Sequence, residues 1–253
     1  MWQALFRGLP VDAIHGGSGE TVVRGTWIYA TPVLGLYDRL VPGLLKPQVW
    51  QCPSSRLVEQ YRRNCGPVHV DLGPGTGFYL ERQMSEREFS RLVLVDARES
   101  CLRHAGRRLQ AAKPERVRLD MTCQQPPLRI PVESADSVAA SFLIHCLPRG
   151  LADAGALAGE AARLIGQRGV FFGSTLLPQP AASRLVSRSC TSLFNRIGIF
   201  GNRDDSRRGL VSLLESRFAR VQIEMAGCVA LFRADNRPRT GRSAVDHTEA
   251  ASR

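Results

Sequence analysis

The chain has 253 residues, 43% of them hydrophobic, enough for one sizeable core, and no fixed-period repeat divides it. Its net charge of +11 comes almost wholly from arginine, with only Lys46 and Lys113 as lysines, and the arginines are spread out instead of forming the stripe that a nucleic-acid partner requires. No apolar run nears the roughly 20 residues that span a bilayer, Met1 to Gly8 lacks the layout of an export signal, and the scattered cysteines and histidines show neither disulfide nor metal-ligand spacing, so a cytoplasmic protein with free thiols, no metal and no membrane attachment is expected.

Residues 1–25 read as an irregular segment, and 26–65 as helical. The stretch from Thr26 to Val41, continued by Leu44, Leu45 and Trp50, is aromatic-rich and apolar. It suits a lid over a pocket, or equally an amphipathic helix burying Leu36, Leu40 and Leu44. A second helix is predicted from Pro53 through Tyr61, with the proline in its first turn and Gly66 as its end.

Val68, Val70 and Leu72 then mark a short buried strand that runs into Gly73, Gly75 and Gly77. Three alternating glycines remove the side chains that would keep a ligand from the backbone, and a helix is expected to start near Gly77 with its N–H groups and positive dipole end facing the turn. The G-x-G-x-G spacing differs from the G-x-G-x-x-G of dinucleotide folds, and no Gly-Lys-Ser/Thr follows. Asp71, closing the strand, repels a pyrophosphate and suits a cationic or amine-bearing ligand.

Arg91–Asp96 is a second apolar run ending in an acid, which can accept both hydroxyls of a ribose or can be a solvated strand end. Arg116–Leu119 is a third, followed by Asp120 and Met121. The fourth strand falls within Ala135–Pro148, with Ser141 and His145 at its C-terminal end. Helical spacing from Leu151 to Ile165, a turn at Gly166–Gly169 and a fifth strand over Val170–Leu176 come next. Residues 177–208 mix aromatics, amides and glycines around Ser192–Asn202, which favours a substrate-pocket wall over a plain connection. Leu210, Leu213, Leu214 and Phe218 give a crossover helix. Phe218–Met225 and Cys228–Arg233, joined through Ala226-Gly227, fit an antiparallel hairpin, and 234–253 read as a disordered tail.

From about Gly66 to about Phe232 this succession resembles the class I, Rossmann-like S-adenosylmethionine-dependent methyltransferases, whose first motif reads much like Val-Asp-Leu-Gly-Pro-Gly-Thr-Gly. The resemblance implies an α/β fold. Its core is a doubly wound, mostly parallel seven-stranded sheet with a C-terminal antiparallel hairpin and an N-terminal helical lid, in one domain over 26–233. It implies S-adenosyl-L-methionine as cofactor, with Asp71, Gly73, Gly75, Gly77 and Ser141 around it. Asp96 and Ala97 belong to the ribose, the Asp120 acid to the adenine amino group and the Met121 N–H to a ring nitrogen, while Tyr37 with Asp38 folds over the donor. Trp50-Gln51-Cys52-Pro53, His145-Cys146-Leu147-Pro148, Gly173-Ser174-Thr175 and Gly198-Ile199-Phe200 resemble stand-alone methyltransferases of secondary metabolism, and so point to a small organic acceptor. His145 is the candidate general base, or else closes its strand by a hydrogen bond. His69 is expected to pack in the sheet. A protein that binds the donor without transferring a methyl group is the alternative function. An RNA methyltransferase is weaker, because Ser141–His145 stands where amino methyltransferases carry Asn/Asp-Pro-Pro-Tyr/Phe, and Leu147 separates the thiol of Cys146 from Pro148. Oligomeric state stays open, a homodimer being one option.

Overall fold

A computed structural model describes residues 49–121, 128–178 and 185–237. Tyr37 and most of the proposed lid lie outside the described residues, as does the chain from 238 onward. The described elements, in chain order, are α1 (Ser54–Asn64), β1 (Val68–Leu72), α2 (Phe78–Glu81), β2 (Arg91–Asp96), α3 (Glu99–Arg108), β3 (Glu115–Arg118), β4 (Ser137–Ser141), α4 (Gly155–Ile165), β5 (Val170–Leu176), α5 (Leu185–Arg196), α6 (Arg207–Glu215), β6 (Arg220–Ala226) and β7 (Val229–Asp235).

The sheet order is β3-β2-β1-β4-β5-β7-β6, parallel from β3 through β5, with β7 antiparallel to both β5 and β6. The chain first winds outward from β1 to β3 and then returns to place β4 on the other side of β1. Ligands of such sheets bind where the winding reverses, at the carboxyl ends of the strands. Here that point lies between β1 and β4.

Continuous burial of β2, β4 and β5 explains why their sequences are unbroken apolar runs, since helices cover both faces. On one face Val70, Leu72, Val138, Ala140 and Phe171 meet Leu157, Ala161 and Leu164 of α4 and Leu210 and Leu214 of α6. Each fully buried leucine there contributes about 2 kcal/mol of transfer free energy. On the other face Leu92, Leu94, Ala139 and Phe172 meet Tyr61 of α1 and Leu102 and Ala105 of α3.

Four local boundaries differ from the sequence reading. Pro53 is the extended cap before α1 and not a first-turn residue, and Cys65 ends that helix. α2 is a single turn of four residues, so the expected helix-end contribution of its dipole is small. A 3-10 turn, Gly150–Asp153, precedes α4, where the helical pattern already began. β7 runs two residues past Arg233, because Asp235 is buried and paired with Arg220 and Arg233.

The Gly150–Asp153 turn is pinned from a distance. Asp205, just before α6, accepts the Leu151 N–H at 2.9 Å, and a Cβ on Gly150 would sit 2.5 Å from its carboxylate oxygens. Burial pushes the Asp205 carboxyl up to about 6. A carboxyl raised on folding binds more protons in the folded than in the unfolded state between about pH 4 and 6. Its stabilising contribution is therefore present below pH 4 and fades as pH rises through 6. Asp205→Asn is expected to flatten the fall in melting temperature between about pH 4 and 6, by an amount of order 2 kcal/mol in unfolding free energy. Thermal melts across that range check it; an unchanged slope contradicts it.

Candidate functional site

The turn after β1 is built by three left-handed glycines, Gly73, Gly75 and Gly77, with φ of 71°, 57° and 75°. Only glycine adopts that region without strain. Their surroundings divide the work. A Cβ on Gly73 would lie 2.9 Å from Leu143, and one on Gly77 would lie 3.3 Å from Ala105 of α3, so these two glycines permit packing. A Cβ on Gly75 meets nothing within 4 Å. The sequence reading gave all three glycines one role, but only Gly75 has the open side. Gly75→Ala adds a methyl group there and about 1 kcal/mol of backbone strain. It is expected to leave the fold intact and weaken S-adenosylhomocysteine binding about tenfold by calorimetry, and equal affinity contradicts the assignment.

Asp71 and Asp96 flank this turn from β1 and β2. Asp96, half-buried, accepts the Arg98 N–H at 2.9 Å and a backbone N–H of Gly75, which ties the end of β2 to the glycine turn. Burial raises its pKa to about 6 against those two donors. Asp71 is 1% exposed. Its Oδ2 accepts the Tyr61 hydroxyl at 3.0 Å, and its Oδ1, buried, has no hydrogen-bond partner among the described residues. The Ser174 Oγ on β5 is in the same condition, while Ser141 beside it at the end of β4 interacts with the Tyr61 hydroxyl. Buried polar atoms without partners are rare, and such atoms at a switch point mark a place made for a polar ligand.

The other expected residues fall at the same rim with less definition. Ala97 is exposed and its carbonyl accepts Arg118 Nε at 3.3 Å. Asp120 and Met121 are half-buried just beyond β3, Met121 against the core.

His145 sits in the 3-10 turn Ile144–Cys146 with its ring buried. The Leu176 N–H donates to His145 Nδ1 at 3.3 Å, and Phe200 contacts the ring edge-on with centroids 4.7 Å apart. A backbone donor on Nδ1 places the ring proton on Nε2. The imidazole thus receives the backbone hydrogen bond that the strand-closing reading expects. Cys146 Sγ donates to the Phe142 carbonyl at 3.5 Å, a structural contact.

Three residues at the site carry no local sequence signal. Phe142 adopts φ 58° directly after Ser141, costly for an aromatic residue and typical of functional rims. Tyr61 and Gln60 of α1 reach over the sheet, Gln60 donating to the carbonyls of Gly173 at 2.8 Å and Phe232 at 3.0 Å. From the insertion, Phe194 and Phe200 pack with Trp50 and Leu176. Asn202 is buried and donates to the Leu176 carbonyl at 2.8 Å, and a Cβ on Gly201 would lie 2.1 Å from the Leu147 carbonyl. The amides and glycines there serve packing as well as any pocket.

A doubly wound sheet whose switch point carries an open glycine turn between two acids places the chain among the Rossmann-like α/β domains. Residues 70–173 match the methyltransferase domain family. The methyltransferase ctvB of Aspergillus terreus is 31% identical over 211 residues, covering 81% of this chain and 91% of its own. The demethylluteothin O-methyltransferase of Streptomyces thioluteus is 29% identical over 215 residues, covering 85% and 92%. The chain belongs to the class I methyltransferase family. Its fold is shared with an O-methyltransferase family protein of Burkholderia thailandensis, at a TM-score of 0.62 and 15% identity over 82% of this chain, which spans 60% of that structure.

Proposed function

We propose that this protein transfers a methyl group from S-adenosyl-L-methionine to an oxygen of a small, natural-product-like acceptor. The observation that carries the reading is the open side of Gly75 between Asp96 and the unpartnered Oδ1 of Asp71. These residues fit the donor. The Asp96 carboxylate suits two ribose hydroxyls, Asp71 suits the ammonium end, and Asp120 with the Met121 N–H suits the adenine edge. When bound, the sulfonium supplies an electrophilic methyl group. The chain's own task is then alignment and exclusion of water, and alignment alone contributes roughly 7–11 kcal/mol. The face formed by Phe142, Phe194 and Phe200 is the acceptor side of this reading. Relatives named as O-methyltransferases support oxygen as the target.

Incubation with methyl-labelled donor and a panel of phenols and carboxylic acids tests it. Labelled product with S-adenosylhomocysteine release is expected. Donor binding without release across the panel favours the binding-only alternative.

A further inference from the structure

Beneath the site, four polar side chains from α1, β1 and β4 meet in the core. Tyr61 of α1 donates to Asp71 Oδ2 at 3.0 Å, and His69 Nε2 lies 3.8 Å from the same oxygen. His69 Nδ1 is 2.7 Å from Ser137 Oγ on β4, which also accepts the Gly66 N–H at 2.8 Å. All four side chains are buried. Rings clamp the group: Tyr61 stacks on Tyr79 with centroids 5.5 Å apart and meets Phe172 edge-on at 5.0 Å, while His69 packs against Phe89 and Phe172.

Such a cluster is expensive to bury unless it is satisfied, and every member is satisfied except at one atom. Among the described residues, Asp71 Oδ1 has no partner. Both neighbours converge on Oδ2, so the carboxylate is fixed with one oxygen committed to the core and the other without a partner among the described residues. Burial would favour a neutral His69, whereas the Cys65 sulfur at 3.9 Å and the Asp71 carboxylate pull its pKa upward, to about 9. Tyr61, held neutral by burial and by the adjacent carboxylate, remains a donor.

We propose that Tyr61 and His69 are positioning residues for donor binding: they hold Asp71 through Oδ2 so that Oδ1 is presented to the ammonium group of the bound nucleoside. A carboxylate prevented from rotating loses less freedom on binding, and its charge is aimed before the ligand arrives. This assignment rests on the donor-site reading above and extends it to residues that do not touch the ligand.

The test compares S-adenosylhomocysteine with its desamino analogue, in which hydrogen replaces the α-amino group, by calorimetry on wild type, Tyr61→Phe, His69→Gln and Asp71→Asn. Wild type is expected to bind the parent compound at least tenfold more tightly than the analogue. Asp71→Asn should abolish that preference. Tyr61→Phe and His69→Gln should each reduce it threefold to tenfold while leaving analogue affinity within twofold, and Tyr61→Phe added to Asp71→Asn should have no further effect. Parallel loss of both affinities in Tyr61→Phe or His69→Gln, or a preference unchanged in folded variants, overturns the positioning role while the donor site stands. Equal wild-type affinity for the two compounds overturns it as well. Failure of wild type to bind either removes the donor site and this inference together.

Discussion

Replacing Asp96 by alanine is expected to weaken binding of S-adenosylmethionine and S-adenosylhomocysteine by about a hundredfold to a thousandfold. Two charge-assisted hydrogen bonds from the ribose hydroxyls to one carboxylate are each worth roughly 1.5–3 kcal/mol. Alanine removes both. It also releases the Gly75 and Arg98 N–H groups from the end of β2, which loosens the turn. The effect carries a pH signature. The carboxyl of the free protein is raised to about 6, whereas a ligand that donates to the carboxylate favours its ionised form. Affinity should therefore rise with pH up to about 6 and level off above it, and the rise should vanish in Asp96→Ala. Calorimetric titrations between pH 5 and 8 measure both; a variant within threefold of wild type rejects Asp96 as the ribose acceptor.

Gly173→Ala has the largest expected effect on stability. Gly173 lies in the middle of β5, where a Cβ would come within 2.0 Å of the Ala140 carbonyl oxygen and 2.8 Å of Phe232. Both neighbours belong to the central sheet and cannot move aside without breaking strand pairing. Overpacking of this kind costs about 3 kcal/mol or more, equivalent to a fall of about 10 °C in melting temperature for a domain of this size. Gly155, at the start of α4, is the control. A Cβ there meets nothing within 4 Å, so Gly155→Ala should be neutral or stabilising by a few tenths of a kcal/mol. Paired thermal melts decide, and a Gly173→Ala protein as stable as wild type contradicts the packing described.

Three of the strands were legible because a buried parallel strand must be an apolar run, and the run lengths in Val68–Leu72, Arg91–Asp96 and Val170–Leu176 match the observed strands. The two strand-end acids were legible for a related reason: a charge that ends such a run has to face the crevice. Tyr61 gave no comparable signal. On a helix it reads as an ordinary half-polar position, and only the packing of α1 over β1 brings it to Asp71. The same holds for Asp205, whose partner Leu151 is 54 positions away in the chain.

By itself, then, the sequence determined the main strands, the glycine turn and the acids beside it, since these follow from local periodicity and from residues next to one another, while the doubly wound sheet was what the family resemblance implied. The tertiary structure alone decided which glycine has an open side, which backbone N–H reaches His145 Nδ1 and which Asp71 oxygen receives the Tyr61 hydroxyl. Each of those depends on what a neighbouring element places within about 4 Å, and chain order does not encode such distances.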